Sequence, residues 1–177
     1  MRSRATRYKV GDAVIAFAGH GGLAQRCAVP ASRVMPLPTG MDARQGAALM
    51  LTYGTALHAL QDVGRLQAGE TVAVLGAGGG VRLAAIDVAK ALGGRVIAAA
   101  SSEAKLQLAQ AHGADGLINY ASEDLRAALL EHTARAGVDV VVDPVGGRYA
   151  EPALRATAWR GRYLVVGFAA GSIRTSP

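Results

Sequence analysis

The sequence predicts an α/β fold, an open and doubly wound parallel sheet covered by helices on both faces. From Thr71 onward, short apolar runs alternate with stretches of helical periodicity. Four of the five runs carry apolar residues at consecutive positions, which is typical of parallel strands buried on both faces. The predicted strands are 71–75, 95–100, 116–119, 138–143 and 162–168, and the predicted helices between them are 80–92, 102–111, 122–136 and 149–158.

The segment before Thr71 has a different pattern and predicts a second, smaller domain. Two apolar stretches flank a glycine-rich turn and indicate two strands. A proline-punctuated connection at 34–40 suits neither a helix nor a central strand, so we place the domain boundary there. Asp42 is a suitable N-cap for the helix that follows. The predicted elements are strands 10–18 and 24–29 and helices 43–50 and 55–61, and the predicted domains are 1–40 and 41–177.

Composition and charge exclude several classes of protein. A chain of 177 residues is long enough for one domain and part of another. The net charge is +6, but aromatic residues make up only 5% of the chain. A basic surface without stacking platforms predicts no nucleic-acid partner. No apolar run approaches the roughly 18 residues of a membrane span. The single cysteine, Cys27, excludes an internal disulfide, so we expect a cytoplasmic protein with no membrane partner.

A glycine-rich turn directly follows the first strand of the β–α series and opens the next helix. It has the sequence Leu75-Gly76-Ala77-Gly78-Gly79-Gly80-Val81. Glycines let the backbone turn tightly and let a diphosphate approach with no Cβ in the way, while the helix N-terminus adds N–H groups and a partial positive charge. A plain β–α turn that uses glycine only for its dihedral angles is the alternative. The position of the turn after the first strand favours dinucleotide binding.

The end of the second predicted strand indicates which dinucleotide binds. An NAD site usually offers Asp or Glu to the ribose about 20 residues beyond the glycines, whereas this strand ends Ala98-Ala99-Ala100-Ser101-Ser102. The missing carboxylate removes the repulsion that would exclude a 2′-phosphate, and Ser101, Ser102 and Lys105 offer donors and a positive charge. The alternative makes Ser102 a helix N-cap and Lys105 a solvated surface lysine. Taken together, these residues favour NADP(H).

Six stretches, by their order and spacing, make the chain resemble the zinc-independent quinone oxidoreductases, the zeta-crystallin-like branch of the medium-chain dehydrogenase/reductase superfamily. They are Lys9–Val14, Ala47–Ala56, Leu66–Val72, Ala114–Tyr120, Val142–Gly147 and Gly161–Phe168. The resemblance implies a Rossmann domain preceded by part of a GroES-like β domain. It further implies a homodimer that transfers a hydride from NADPH to a quinone or other α,β-unsaturated carbonyl. No zinc is needed in that branch, and the catalytic residues stay unassigned.

The resemblance also implies a set of cofactor-binding residues. Thr55 would approach the nicotinamide. The diphosphate would lie on Gly78, Gly79, Gly80 and Val81, the 2′-phosphate among Ser101, Lys105 and Tyr120, and the nicotinamide and its ribose against Val145, Gly146, Gly167, Phe168 and Ala169. These positions suit a doubly wound sheet, because the carboxyl ends of its strands converge on one crevice. Other polar residues are expected to have structural roles: Tyr53 and His58 in helix packing, Asp143 at a strand end, and His20, Cys27, His112 and His132 in packing or at the surface.

The sequence departs from the family pattern in three places. Where the family has a glycine after Gly79-Gly80-Val81, this chain has Arg82. We expect impaired helix packing or altered cofactor affinity, with a phosphate contact as the alternative. A swing of the side chain toward solvent is the way in which the steric conflict could be avoided. The family's N-terminal segment and the last strand of its nucleotide domain are also missing. Exposed sheet edges then predict marginal stability or self-association.

Two other functions fit parts of the sequence. A non-catalytic NADP(H)-binding fragment, or a degenerate paralogue of a reductase, would keep the cofactor site without a substrate domain. An S-adenosylmethionine methyltransferase also places a glycine-rich turn after its first strand. Methyltransferases of that class normally have an acidic residue at the end of the second strand, and Ala100-Ser101 supplies none.

Overall fold

The computed structural model describes residues 7–171, so residues 1–6 and 172–177, at the ends of the two predicted domains, lie outside the description. The chain divides into two compact units, Met1–Leu51 and Thr52–Pro177. In the described part of the chain, no helix combines the length and the apolar character that crossing a membrane requires.

The first unit contains a short antiparallel pair of strands. Strand β1, Val14–Ala16, pairs with β2, Val34–Pro36, so that Ile15 lies opposite Met35. The predicted strand at 24–29 is therefore wrong, because that segment has no regular structure. The partner of β1 lies instead in the segment predicted to be a connection. Proline is tolerated there because it ends the strand, where its missing N–H breaks no ladder.

The second unit contains a five-stranded, fully parallel sheet, which confirms the predicted fold class. Its strands are β3 Thr71–Leu75, β4 Arg95–Ala100, β5 Gly116–Asn119, β6 Val138–Asp143 and β7 Thr157–Val165. They lie in the order β5-β4-β3-β6-β7. Within this sheet the first strand in the chain, β3, is central. Strands β4 and β5 lie in succession on one side of it, and the chain then crosses to β6 on the other side. Ligands bind at such a reversal, outside the carboxyl ends of the strands.

Helix α1, Ala43–Leu57, precedes the sheet in the chain and continues as a π-helix at His58–Val63. Helices between the strands cover both faces of the sheet, with some bounds that differ from prediction. They are α2 Gly80–Ala91, α3 Glu103–Ala111, α4 Leu125–His132, and α5 Ala150–Arg155 after a 3₁₀ turn at Gly147–Tyr149. The predicted gap between helices at 43–50 and 55–61 is wrong. Gly54 lies inside α1, where a glycine costs only about 1 kcal/mol relative to alanine. The predicted helix 149–158 ends early because β7 begins at Thr157.

Strand β7 contains a bulge that the sequence pattern concealed. Val138 pairs with Thr157, but Val140 pairs with Arg162, so extra residues on β7 are left unpaired. Arg160 has a φ of +63°, and the Trp159 side chain is 93% exposed. The predicted strand 162–168 therefore begins too late and ends too late. A bulge interrupts the apolar pattern because it turns side chains away from the core.

The core consists of one apolar cluster on each face of the sheet. Val72 and Val74 of β3 lie in the cluster under α2 and α3, whereas Ala73 and Leu75 lie in the opposite cluster with Leu129 of α4. All five side chains are fully buried. Burial of a valine or leucine contributes about 1.5–3 kcal/mol, so both faces stabilise the central strand. This arrangement fixes the carboxyl ends of the strands, where the candidate site lies.

Candidate functional site

The glycine turn joins the carboxyl end of β3 to the first turn of α2. Gly79 is the N-cap residue of α2 and, as a glycine, has no side chain with which to cap the helix. The turn is fixed to the neighbouring strand by a hydrogen bond from the Ala77 N–H to the Ala99 carbonyl, 3.0 Å. Gly78 has a φ of +151°, and a Cβ atom there would lie 2.8 Å from Cγ of Lys105. The helix N-terminus thus lies at the strand ends, where backbone N–H groups bind anions in folds of this kind.

The residues predicted to bind a 2′-phosphate are brought together beside this turn. The stem of Lys105 crosses Gly78, and its ammonium group lies 3.4 Å from Oγ of Ser101. The Ser101 hydroxyl also lies close enough to Tyr120 to act on the pKa of its phenol. We call Gly78, Ser101, Lys105 and Tyr120 the adenosine-side cluster. Ser102 occupies the N-cap position of α3, but its side chain makes no capping hydrogen bond.

Tyr120 is held by residues on both sides of the crevice. Burial raises the pKa of its phenol, and the neighbouring Tyr149 adds to the increase. The Ser101 hydroxyl and the charges of Arg82 and Arg148 act in the opposite direction. The Tyr120 and Tyr149 rings lie 4.3 Å apart, measured between centroids. A tyrosine phenol is protonated at neutral pH, and the raised pKa keeps this one available as a hydrogen-bond donor.

Sequence reasoning missed two residues at this edge of the sheet, Arg148 and Tyr149. Arg148 donates a hydrogen bond of 2.7 Å to the Tyr149 hydroxyl, and its guanidinium carbon lies 4.9 Å from the centroid of the Tyr149 ring. Their position in the sequence could have identified them, because they directly follow the Gly146-Gly147 pair after β6. Residues just beyond a strand's carboxyl end face the crevice of a doubly wound sheet.

Asp143 does more than end strand β6. Its side chain is 1% exposed, and Oδ1 accepts hydrogen bonds from the backbone N–H groups of Val145 and Gly146 at 2.7 and 2.8 Å. Oδ2 accepts a bond of 2.6 Å from the Tyr163 hydroxyl. Burial, followed by this bond, raises the pKa of Tyr163. The carboxylate therefore fixes the loop that carries two of the predicted nicotinamide-side residues.

The segment after β7 lies against the same loop. The Ala169 N–H donates to the Pro144 carbonyl at 3.1 Å, and the Ala170 N–H donates to the Val145 carbonyl at 2.8 Å. A Cβ at Gly167 would lie 3.4 Å from the Pro144 oxygen, while Phe168 is 48% exposed. The structure thus brings the predicted nicotinamide-side residues of the two loops together.

Thr55, the remaining predicted cofactor residue, is half-buried on α1. Thr52, one turn earlier on the same helix face, has its Cγ2 3.0 Å from the position of a Cβ at Gly80. Tyr53 donates a hydrogen bond of 2.6 Å to Asp87 of α2, as a helix-packing residue would. His58 instead lies exposed beside Asp62, with 2.9 Å between Nδ1 and Oδ2.

Arg82 differs from its predicted position. Its side chain is folded back over the glycine turn, and Nε is buried without a hydrogen-bond partner among residues 7–171. The helix that carries it packs normally, since Ala84, Ala85, Ile86 and Ala89 are buried. The side chain therefore does not swing toward solvent, and the buried face of α2 does not show the expected impaired packing. A buried, unpartnered guanidinium nitrogen fits an anionic group in the crevice.

A metal centre has no support in the described part of the chain. There, no group of three His, Cys, Asp or Glu side chains is placed to hold a metal ion. The zinc-independence of the protein itself stays a prediction.

Comparison with known proteins agrees with the fold and identifies the family. A family model described as zinc-binding dehydrogenase matches residues 80–177. Quinone oxidoreductase-like protein 2 of Bos taurus is 43% identical over 170 residues, which cover 96% of this chain and 49% of that protein. Among solved structures, a probable oxidoreductase from Mycobacterium abscessus has a TM-score of 0.86 at 40% identity, covering 94% of this chain and 52% of that one.

A second solved structure is informative because of its ligand. The quinone oxidoreductase of Escherichia coli, complexed with NADPH, has a TM-score of 0.78 at 33% identity, covering 83% of this chain and 45% of that one. The chain spans about half the length of the curated relatives it matches. It belongs to the zinc-binding dehydrogenase family of oxidoreductases, within the medium-chain dehydrogenase/reductase superfamily that its sequence resembles.

Proposed function

We propose that this chain is the nucleotide-binding part of an NADPH-dependent oxidoreductase that transfers a hydride to a quinone or another α,β-unsaturated carbonyl. The observation that carries the proposal is the adenosine-side cluster, in which Ser101, Lys105 and Tyr120 meet beside the glycine turn. The similarity to quinone oxidoreductases, one of them complexed with NADPH, supports the same conclusion.

Each part of the crevice has a distinct role in this proposal. The first turn of α2 and the glycine backbone hold the diphosphate, because free N–H groups and the helix dipole favour negative charge. Lys105 supplies the charge, and Ser101 and Tyr120 the hydroxyl groups, that bind the 2′-phosphate. Asp143 orients the loop of Val145 and Gly146, which lies with Gly167, Phe168 and Ala169 along the nicotinamide and its ribose. Thr55 approaches the nicotinamide from α1.

The bound cofactor supplies the hydride, and the protein's task is to hold the nicotinamide against the acceptor. The general acid stays unassigned. A zinc-free homodimer in the cytoplasm, with no nucleic-acid or membrane partner, completes the proposal, supported by the family resemblance and by the basic but aromatic-poor composition.

A titration of nicotinamide fluorescence with the full chain tests the cofactor assignment. We expect saturation by NADPH and much weaker binding of NADH. Lys105→Met should weaken NADPH binding about tenfold and leave NADH binding unchanged, because a charge-assisted hydrogen bond to a phosphate contributes roughly 1.5 kcal/mol. Lys9→Met, which removes the same charge from the other unit, is the matched control. Equal losses for both nucleotides in Lys105→Met would contradict the assignment.

Turnover of a simple quinone with NADPH then tests the reaction. Oxidation of NADPH that depends on the quinone supports a reductase. Tight NADPH binding without turnover would favour the alternative, a non-catalytic NADP(H)-binding module.

A further inference from the structure

Arg82 lies where the glycine turn would receive a phosphate. Its Nη1 is 2.8 Å from the position of a Cβ at Gly79, and its Nε is 3.3 Å from that of a Cβ at Gly76. Glycine at such positions keeps space open for a close approach to the backbone. In this structure the guanidinium group of Arg82 occupies that space. The turn therefore presents a positive charge as well as N–H groups.

The surroundings of Arg82 leave its charge poorly compensated by the protein. Its Nε is buried with no hydrogen-bond partner in the described part of the chain, and its charge acts on the phenol of Tyr120. Arg148 acts on the same phenol, and Lys105 lies across the turn at Gly78. Three cations therefore converge on the strand ends, where their mutual repulsion is unfavourable unless a polyanion lies among them.

The buried carboxylate at this edge, Asp143, has its hydrogen bonds with other groups. Both oxygens of Asp143 are engaged, one by the N–H groups of Val145 and Gly146 and the other by Tyr163. A ligand with more than one negative charge would compensate the three cations.

We propose that Arg82 binds the diphosphate of the dinucleotide directly, as an additional ligand beside the α2 N-terminus. This inference rests on the proposed function. The guanidinium group and a phosphate cannot share the space over Gly79, so the long, flexible side chain turns outward and lies alongside the phosphate. Its planar donors match phosphate oxygens in pairs. The contact strengthens binding of every nucleotide that carries the diphosphate and is indifferent to the 2′-phosphate.

Two substitutions with opposite ligand profiles test the proposal. Arg82→Met should weaken binding of NADPH, NADH and ADP-ribose by a common factor of about ten or more, since a hydrogen bond to a charged group is lost. Adenosine 2′-monophosphate, which has no diphosphate, should compete as well as before. Lys105→Met should do the reverse, weakening NADPH and adenosine 2′-monophosphate only. Arg82→Lys should lie between Arg82→Met and the wild type.

Nicotinamide fluorescence measures the binding of NADPH and NADH directly. Displacement of bound NADPH measures the binding of ADP-ribose and adenosine 2′-monophosphate. Circular dichroism and thermal unfolding establish that each variant is folded. If Arg82→Met or Arg82→Gly binds NADPH as tightly as the wild type, or more tightly, Arg82 is not a ligand and the inference is overturned, while the proposed function stands. If neither the folded wild-type chain nor any folded Arg82 variant binds a dinucleotide, the proposed function and this inference both fail.

Discussion

Replacement of Asp143 by alanine should destabilise the protein more than any loss of a surface charge. The substitution removes three hydrogen bonds of 2.6–2.8 Å from a side chain that is 1% exposed. The two backbone N–H groups belong to buried residues, Val145 and Gly146, so water cannot replace their partner. Tyr163 is only half-buried, so the loss of its hydrogen-bond partner costs less free energy.

The magnitude follows from these three contacts. A buried donor left without a partner costs about 1–3 kcal/mol. Release of the Asp143 carboxylate from a buried site offsets part of the loss, because burying a charge is itself unfavourable. We expect Asp143→Ala to lower the free energy of unfolding by about 3 kcal/mol. For a chain of this size that corresponds to a drop in Tm of roughly 6–12 °C. Asp143→Asn keeps an acceptor for the loop and should cost about 1 kcal/mol.

Urea unfolding followed by far-UV circular dichroism measures the effect, and Tyr163→Phe provides the internal control. The single Tyr163→Phe change should cost about 1–2 kcal/mol. In the Asp143→Ala background it should cost close to nothing, because the bond is already absent. Additive losses, or an Asp143→Ala variant no less stable than Tyr163→Phe, would show that the carboxylate does not hold the loop.

Three further substitutions, at Glu70, Gly137 and Gly54, have predicted effects on stability. Arg162 holds the Glu70 carboxylate through two hydrogen bonds of 2.6 and 2.9 Å and thereby lowers its pKa below 4.5. The stabilisation is present above that value and is lost as the pH falls through the folded pKa. The difference in unfolding free energy between the wild type and Glu70→Gln, about 0.5 kcal/mol for this partly exposed pair, should therefore close as the pH falls below 4.5. A difference that widens on acidification contradicts the assignment. Gly137→Ala should cost about 2–3 kcal/mol, since φ is +86° and a Cβ would lie 2.8 Å from the backbone nitrogen of Ala158. Gly54→Ala, in α1 with open space around it, should instead stabilise by about 0.5–1 kcal/mol, and thermal unfolding of the two variants checks the opposite signs.

The sequence was sufficient for the central strands. Strands β3 to β6 are runs of consecutive apolar residues ended by glycine or polar residues, so local pattern and tertiary burial agree. The sequence was insufficient to predict the bounds of β7 or the existence of β2. The bulge at Trp159 and Arg160 depends on how β7 pairs with β6. The assignment of Val34–Pro36 as a strand likewise depends on its pairing with β1, which a proline-rich segment does not reveal.

The candidate site follows the same division. Ser101 and Lys105 were predicted from the end of the second strand, and the family resemblance added Tyr120. The shared edge at the ends of parallel strands agrees with that grouping. The three hydrogen bonds of Asp143 and the direction of Arg82 could not be predicted. Both depend on side-chain rotamers that are selected by neighbours distant in the sequence.

The bulge of β7 also gives the protein a spectroscopic marker. Trp159 is the single tryptophan of the chain, and its indole is almost entirely in water. Its fluorescence should therefore have the emission maximum of a hydrated indole and be quenched by acrylamide as readily as a free tryptophan. Unfolding of the core would hardly change that emission. A shift to shorter wavelength would instead report that another surface has covered this part of β7, separately from any change in folding.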